Sequence, residues 1–237
     1  MLDKLLFCLN ITSEQLLNQS VLTAPALSEL NKFYQGMENR LNSPAFAAKR
    51  ELYAYDHVIT HSWRVAMYSC VMARAARFSE KDIYELVLAC AFHDLDKLYW
   101  PVSLLDKPKN ELSRADWTRI MEHAVASAIF VEQLTKHQTA PGVITIIKQH
   151  HENLDGTGYP NNLTDKDISS GARIIRITDS YESMTSARPY KRVVFNHDQA
   201  LHDLKGKAGG IYDENLVTSF ESAFSAEKIA ELNNGLK

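Results

Sequence analysis

An all-α bundle is the fold class this sequence predicts, and three observations carry the expectation. Apolar residues recur at three- and four-residue spacings through most of the chain, strand-like alternation is scarce, and Gly and Pro gather at a few junctions. Residues 1–50 read as a short helical N-terminal extension of one or two modest helices, interrupted near Pro25 and again at Asn42-Ser43-Pro44. That stretch is too small for an independent sensor domain and fits a cap, a lid or a dimer contact. Residues 51–237 form the main domain. Within it, a helix from about 55 to 78 lines up His61, Val65, Tyr68 and Met72 on one face. A second, from about 81 to 95, aligns Ile83, Leu86, Val87 and Cys90 and ends on His93-Asp94. Pro101 and Lys107-Pro108 mark an irregular connection. Ser113-Arg114-Ala115-Asp116 then reads as a capping box with Asp in the usual place of Glu, opening a helix that holds Trp117, Ile120, His123 and Ala124. Pro141 suits the first turn of a helix running through Ile144 and Ile147 to His150-His151. Asp155 to Asn162 is a turn-rich loop, a helix from about 167 to 186 carries Asp179, and the remainder is weakly patterned helix and loop.

The bulk properties narrow the function classes. Hydrophobic residues at 45% support a substantial core, and a net charge of −3 supplies no global attraction for a nucleic-acid polymer or an anionic membrane. Any anionic ligand therefore needs a local site. Cys8, Cys70 and Cys90 are odd in number and widely spaced, which fits reduced thiols in a cytoplasmic protein better than a disulfide framework. The run Leu5-Leu6-Phe7-Cys8-Leu9 is too short for a signal-peptide core or a membrane span, and no other apolar run approaches about 18 residues. A soluble, cytoplasmic protein is the expectation.

The chemistry concentrates in a set of potential metal ligands. His150-His151-Glu152-Asn153-Leu154-Asp155-Gly156-Thr157-Gly158-Tyr159-Pro160 joins two histidines, a carboxylate and a glycine-punctuated turn. His61, His93-Asp94, His123 and Asp179 extend the set over four or five helices, close to helix ends or on apolar faces where an unpartnered imidazole would be costly. Neutral imidazole is the commonest side-chain metal ligand, and a carboxylate can bridge two ions. Asp94, beside His93, is suited to bridge metals whose other ligands arrive from opposite sides. A lone histidine is usually an ordinary hydrogen-bonded residue; the joint set of these candidates in one chain is not.

The order of these motifs resembles the HD-GYP family, a branch of the HD superfamily of metal-dependent phosphohydrolases. The resemblance begins at His61-Ser62-Trp63-Arg64-Val65 and continues through His93-Asp94-Leu95-Asp96-Lys97, Pro101, Lys107-Pro108, Trp117, His123 and the run from His150 to Pro160. It closes with Ala172-Arg173-Ile174 to Asp179, then Arg188-Pro189-Tyr190 with Lys191, and Tyr212-Asp213 with Leu216-Val217, covering roughly residues 55 to 222. The resemblance implies an HD-domain helical bundle that cleaves cyclic di-GMP, to the linear dinucleotide or to GMP, with a hydroxide held between metal ions. It implies two divalent ions, often iron or manganese, with a third as an alternative. His61, His93, Asp94 and Asp179 would form one side of the site, with Asp94 bridging to an ion held by His123, His150 and His151. Lys97, one helical turn beyond His93, would join Asp94 in catalysis and contact the scissile phosphate. Arg188 and Lys191 would grip phosphates or guanine edges, a task suited to the planar guanidinium, with Tyr190 lining the nucleotide site or serving as a half-buried structural residue.

Four positions depart from the family pattern. Asp96 stands where Gly is usual, placing a carboxylate beside Lys97 that could tune it, recruit water or repel phosphate. His57 occupies the position of an acidic residue in three-metal members; it lies on the face of His61 and is carried as a ligand to a third ion, two ions being the primary expectation. Glu182-Ser183 replaces the usual Asp-Ala. Two other functions compete with cyclic di-GMP hydrolysis: cleavage of a related cyclic dinucleotide such as cyclic GMP-AMP, and a non-catalytic module that binds ligand or partner. A homodimer, and a protein partner at the Gly-Tyr-Pro loop, complete the expectations. That loop equally fits a purely structural role, orienting His150-His151.

Overall fold

The computed structural model describes residues 5–6, 9–41, 50–187 and 193–225. Ten α-helices span the described residues: α1 (Ser13–Asn18), α2 (Ala24–Leu41), α3 (Arg50–Ala75), α4 (Glu80–Phe92), α5 (Val102–Leu105), α6 (Arg114–Leu134), α7 (Pro141–Gln149), α8 (Ser170–Thr185), α9 (His197–Gly206) and α10 (Glu214–Ala223). Among those residues there is no β-strand, only three isolated bridges, so the all-α expectation holds. No described helix is long and apolar enough to cross a membrane.

α4 is the axis of the bundle. Every residue from Leu86 to Phe92 is buried, so the apolar stripe of the sequence widens into a helix enclosed on all sides. α3 packs along it, α7 leans on its other flank, α8 covers α3, and α6 pairs with α7. Burying each large aliphatic side chain here contributes roughly 1.5–3 kcal/mol. These four neighbours, with α4, bring every part of the site to one end of the bundle.

Local rules explain most helix starts. Ser113 and Asp116 form the expected reciprocal capping box, and Pro141 occupies the first turn of α7. Two further capping boxes, Thr12 with Gln15 and Asn196 with Gln199, open α1 and α9. The second of these gives regular structure to a region whose apolar pattern is weak. The expected interruption near Pro25 falls between α1 and α2, over residues 19–23. Pro25 lies in the first turn of α2, where its missing N–H costs nothing. The expected break at Asn42-Ser43-Pro44 falls outside the described residues. α3 stops at Ala75 because Arg77 takes a positive φ of 59° and Phe78 N–H turns back to the Ala73 carbonyl at 3.0 Å. α4 ends at Phe92, earlier than expected, and the chain tightens into a 3-10 turn over Leu95–Tyr99.

The described residues among the first forty share the core of the helices that follow. Leu5, Leu6, Leu16, Val21 and Leu30 are buried in the same apolar cluster as α3 and α4. Polar ties support them: Ala140 N–H donates to the Val21 carbonyl at 2.9 Å, and the Tyr34 hydroxyl donates to the Ala91 carbonyl at 3.3 Å.

Candidate metal centre

Five elements deliver potential metal ligands to one point. His61 projects from α3, His93 and Asp94 follow the last turn of α4, His123 comes from α6, His150 and His151 follow α7, and Asp179 comes from α8. Asp94, 2% exposed, stands at their centre. Its Oδ2 lies 3.5 Å from His61 Nε2 and 3.6 Å from His93 Nε2; its Oδ1 lies 3.2 Å from His123 Nε2 and 3.9 Å from His150 Nε2. Asp179 Oδ1 stands 3.1 Å from His61 Nε2. Two triads result, His61-His93-Asp94 and His123-His150-His151, each with potential ligand atoms within 4.8 Å of one another.

Hydrogen bonds fix which ring nitrogen is offered. His93, His123 and His150 each turn Nδ1 to the carbonyl three residues earlier, of Cys90 at 2.8 Å, Ile120 at 2.5 Å and Ile147 at 2.7 Å. A carbonyl only accepts, so Nδ1 carries the proton and Nε2 is left as a lone pair. For His93 and His150 that carbonyl is one of the orphans at a helix C-terminus, so ligand orientation and helix capping are a single interaction. His123 Nε2 and His150 Nε2 then face each other at 3.1 Å, a pairing of lone pairs that a cation resolves. His93 Nε2 is buried without a hydrogen-bond partner, and His61 Nε2 faces the carboxylates of Asp179 and Asp94. A donor set of this kind fits divalent ions: imidazole lone pairs on both sides of one carboxylate.

The charge distribution differs across the site. Burial, reinforced by neighbouring imidazoles, holds His150 and His151 well below the usual histidine value; burial also lowers His93. Burial opposes charge on His61 too, but the Glu182 and Asp179 carboxylates outweigh it and raise its pKa to about 9. Burial would raise Asp94, yet the Lys97 ammonium and adjacent imidazoles hold it well below the carboxylate range. Asp179 is likewise held low against burial, chiefly by His61. Lys97 Nζ spans the Asp94 carboxylate, 2.7 Å from one oxygen and 2.8 Å from the other. A cavity of about 450 Å³ opens above these groups, with His57, His61, Asp94, Lys97 and His151 on its wall.

The family model described as HD domain matches residues 48–216, most of the chain. This chain belongs to the HD domain family. Its motif order and its relatives put it in the HD-GYP branch. A protein of Vibrio cholerae named 3'3'-cGAMP-specific phosphodiesterase 3 is 34% identical over 72% of this chain and 34% of its own length. A cyclic di-GMP phosphodiesterase of Pseudomonas aeruginosa is 28% identical over 75% of this chain and 42% of its own length. The chain thus spans about a third to two fifths of the length of these curated relatives. Among solved structures, an HDG"Y"P protein of Bdellovibrio bacteriovorus, Bd1817, shares the fold with a TM-score of 0.58 and 22% identity, over 70% of this chain and 51% of that one.

The departures of this HD domain from its family pattern take definite structural forms. Asp96 does not engage Lys97. Its Oδ2 accepts from Trp100 Nε1 at 2.7 Å, its Oδ1 pairs with Arg119 at 2.8 Å, and its backbone N–H donates to Ser127 Oγ at 3.0 Å. The carboxylate foreseen as tuning Lys97 or repelling phosphate instead pins the cavity wall. Asp96 is also absent from the residues with positive φ, so the backbone makes no demand for Gly there. His57 lies on the cavity wall and belongs to neither triad. Glu182 is the functional residue that the sequence left unexplained. Fully buried, it meets His61 Nδ1 at 2.5 Å and accepts from Arg64 at 3.4 Å and from Ser186 at 2.5 Å. Its spacing of three from Asp179, on one face of α8, was the available signal.

The Gly-Tyr-Pro loop folds back on the histidine pair. A Cβ on Gly158 would sit 2.3 Å from Asn153 N and 2.5 Å from the His151 carbonyl, so only Gly permits the approach. Glu152 is no ligand; its carboxylate accepts the Asn161 and Leu163 N–H groups at 2.7 and 2.9 Å. The Tyr159 ring stacks on His151, centroids 4.8 Å apart and 31° between planes. The loop thus orients His151. Arg188, Tyr190 and Lys191, the expected substrate contacts, lie outside the described residues.

Proposed function

We propose that this HD domain hydrolyses a phosphodiester bond of a cyclic dinucleotide, cyclic di-GMP first among them, giving the linear dinucleotide or GMP. The observation that carries the reading is Asp94, one carboxylate facing two histidine-rich triads on the wall of a cavity large enough for a nucleotide. His61, His93 and Asp179 would hold one divalent ion, iron or manganese, and His123, His150 and His151 a second, with Asp94 shared. His57 is the residue available to a third. Ions held there supply the Lewis acidity that a phosphodiester needs and ease the ionisation of water. Lys97, resting on Asp94 at the cavity wall, adds positive charge where the phosphate becomes more negative. Tyr159 and the Glu152-held loop keep His151 in place. Arg188, Lys191 and Tyr190 are assigned to the phosphates and bases on the strength of their motif.

A second substrate, cyclic GMP-AMP, is favoured by the 34% identical relative whose name specifies it. The test is to purify the protein anaerobically, measure bound metal, and incubate it with both dinucleotides. About two equivalents of iron or manganese and product from cyclic di-GMP are expected. Product from cyclic GMP-AMP alone would change the substrate. Metal with product from neither would leave a non-catalytic ligand- or partner-binding module.

A further inference from the structure

α8 carries an arginine that is not one of the proposed ligands, yet lies between two elements that the metal centre needs. Arg176 stands three residues before Asp179 and four before Ser180, on one face of the helix. The described residues lining the cavity do not include it. Its guanidinium branches: Nε donates to Asn153 Oδ1 at 2.9 Å, Nη1 donates to Ser180 Oγ at 2.6 Å, and Cζ lies 5.4 Å from the Tyr212 ring centroid. These three partners are neutral, so shape accounts for the arginine better than charge pairing does. A planar fork reaches a loop and a helix at once, which a lysine ammonium on its flexible stem does not.

Asn153 is the residue through which Arg176 reaches the site. It is buried two residues after His151, and its Nδ2 donates to Thr157 Oγ1 at 3.0 Å. Thr157 gives its hydroxyl and its N–H to Asp155 Oδ1 at 2.6 and 3.0 Å, and Gly156 N–H returns to the Asn153 carbonyl at 2.9 Å. The turn is closed on itself and leads directly to Tyr159, whose N–H bonds the His151 carbonyl at 3.1 Å and whose ring lies on His151. A backbone tether holds the far side: Leu154 and Asp155 N–H groups donate to the Ile211 and Gly210 carbonyls at 3.3 and 3.0 Å, beside Tyr212. Arg176 closes this frame from the α8 side. α8 itself is buried through Ala172, Ile174, Ile175, Thr178 and Tyr181, so packing fixes Asp179 without the guanidinium.

We infer that Arg176 is a positioning residue for the proposed metal centre, acting through Asn153 on the loop that holds His151, so that its influence falls on the His123-His150-His151 half. The inference rests on the two-ion reading of the site and is independent of which dinucleotide is cleaved.

Titration of the metal-free full chain with Mn2+ against a chelating dye tests it. Arg176→Ala should weaken one of two binding steps by about tenfold, the low end of the range for support lost behind a ligating histidine, and leave the other unchanged. Arg176→Lys should weaken the same step nearly as much, because charge alone does not restore the fork. Asn153→Ala should do so too, and the double variant should be no weaker than either single one, since the two residues act in series. In the metal-free protein, amide exchange across residues 151–159 should quicken in Arg176→Ala while that of α8 holds. Arg173→Ala, which cuts contacts to Asp165 and Asp213 from the same helix, is the control for general loosening. It should lower the melting temperature and leave both binding steps intact. Where Arg176→Ala fails to fold, Arg176→Lys and Asn153→Ala carry the same comparison. Equal weakening of both steps, full recovery in Arg176→Lys, additive losses in the double variant, or the same profile from Arg173→Ala overturns the assignment. Unaltered Mn2+ binding in folded Arg176→Ala, with wild-type turnover of a cyclic dinucleotide, would sink the positioning role and keep the hydrolase reading. An Arg176-dependent binding step in a protein that turns over neither dinucleotide would do the reverse.

Discussion

The two halves of the site around Asp94 orient their histidines by different means. On the His123-His150-His151 side, His123 and His150 bond carbonyls of their own segments three residues back, and His151 is pressed by Tyr159. On the other side, His93 does the same with Cys90, but His61 depends on Glu182, 121 residues away in sequence. The first arrangement is local, neutral and histidine-rich. The second is long-range and acidic, with Asp179 and Glu182 both beside His61. Asp94, the proposed bridge, thus joins a half that is ready to donate lone pairs to one whose histidine prefers its proton.

Substitutions can break or sharpen that contrast. Asp94→Ala should have the largest effect, since it removes the group common to both halves. Metal content should fall towards zero by elemental analysis and turnover by at least about a thousandfold; retained activity would refute the bridging assignment. Glu182→Gln should act on one half alone. Loss of a carboxylate behind a ligating histidine costs about 10–100-fold in metal affinity, so competition with a chelating dye should reveal one weakened site and one unchanged. If both weaken together, the halves are not separable. A smaller effect comes from pH. With its pKa raised from 6.5 to about 9, His61 in its protonated form stabilises the fold fully below pH 6.5, and that contribution fades as the pH rises through 9. An ion needs the deprotonated ring, so affinity at this half should climb with pH by up to about tenfold per unit between pH 7 and 9. The half containing His150 and His151, whose pKa values lie well below 6.5, should stay flat over that range. Smallest of all, Asp96→Gly should leave metal content intact while loosening the wall. A loss of roughly 1–2 kcal/mol in unfolding free energy, read by denaturant titration, is the expected cost of its hydrogen bonds.

The same local-against-distant distinction governs what the sequence reveals. The helices, the Ser113–Asp116 box and the placement of His93 and His150 at helix ends follow from rules acting over three or four residues. The histidine set was legible because each member is a rare, chemically committed residue at a recognisable spacing. Glu182 was not, because a carboxylate on a helix looks solvated until the fold brings His61 and Arg64 to it. Asp96 was misread for a related reason. Its neighbour Lys97 lies next in sequence, whereas its actual partners, Trp100 and Arg119, come from the following turn and from α6. Pro25 was a simpler case: the helices break just before it, and the proline sits in the first turn of the next one.

α4 delivers His93 and Asp94 as consecutive residues, and this makes the helix a ruler. Adding or deleting one residue upstream of His93 would rotate its exit by about 100° and withdraw ligands from both halves together. The connection between Trp100 and Ser113 carries no such penalty, for none of the proposed metal ligands lies within it. Register is therefore a local matter in this molecule: the proposed metal centre depends on it at α4, and not in the connection from Trp100 to Ser113.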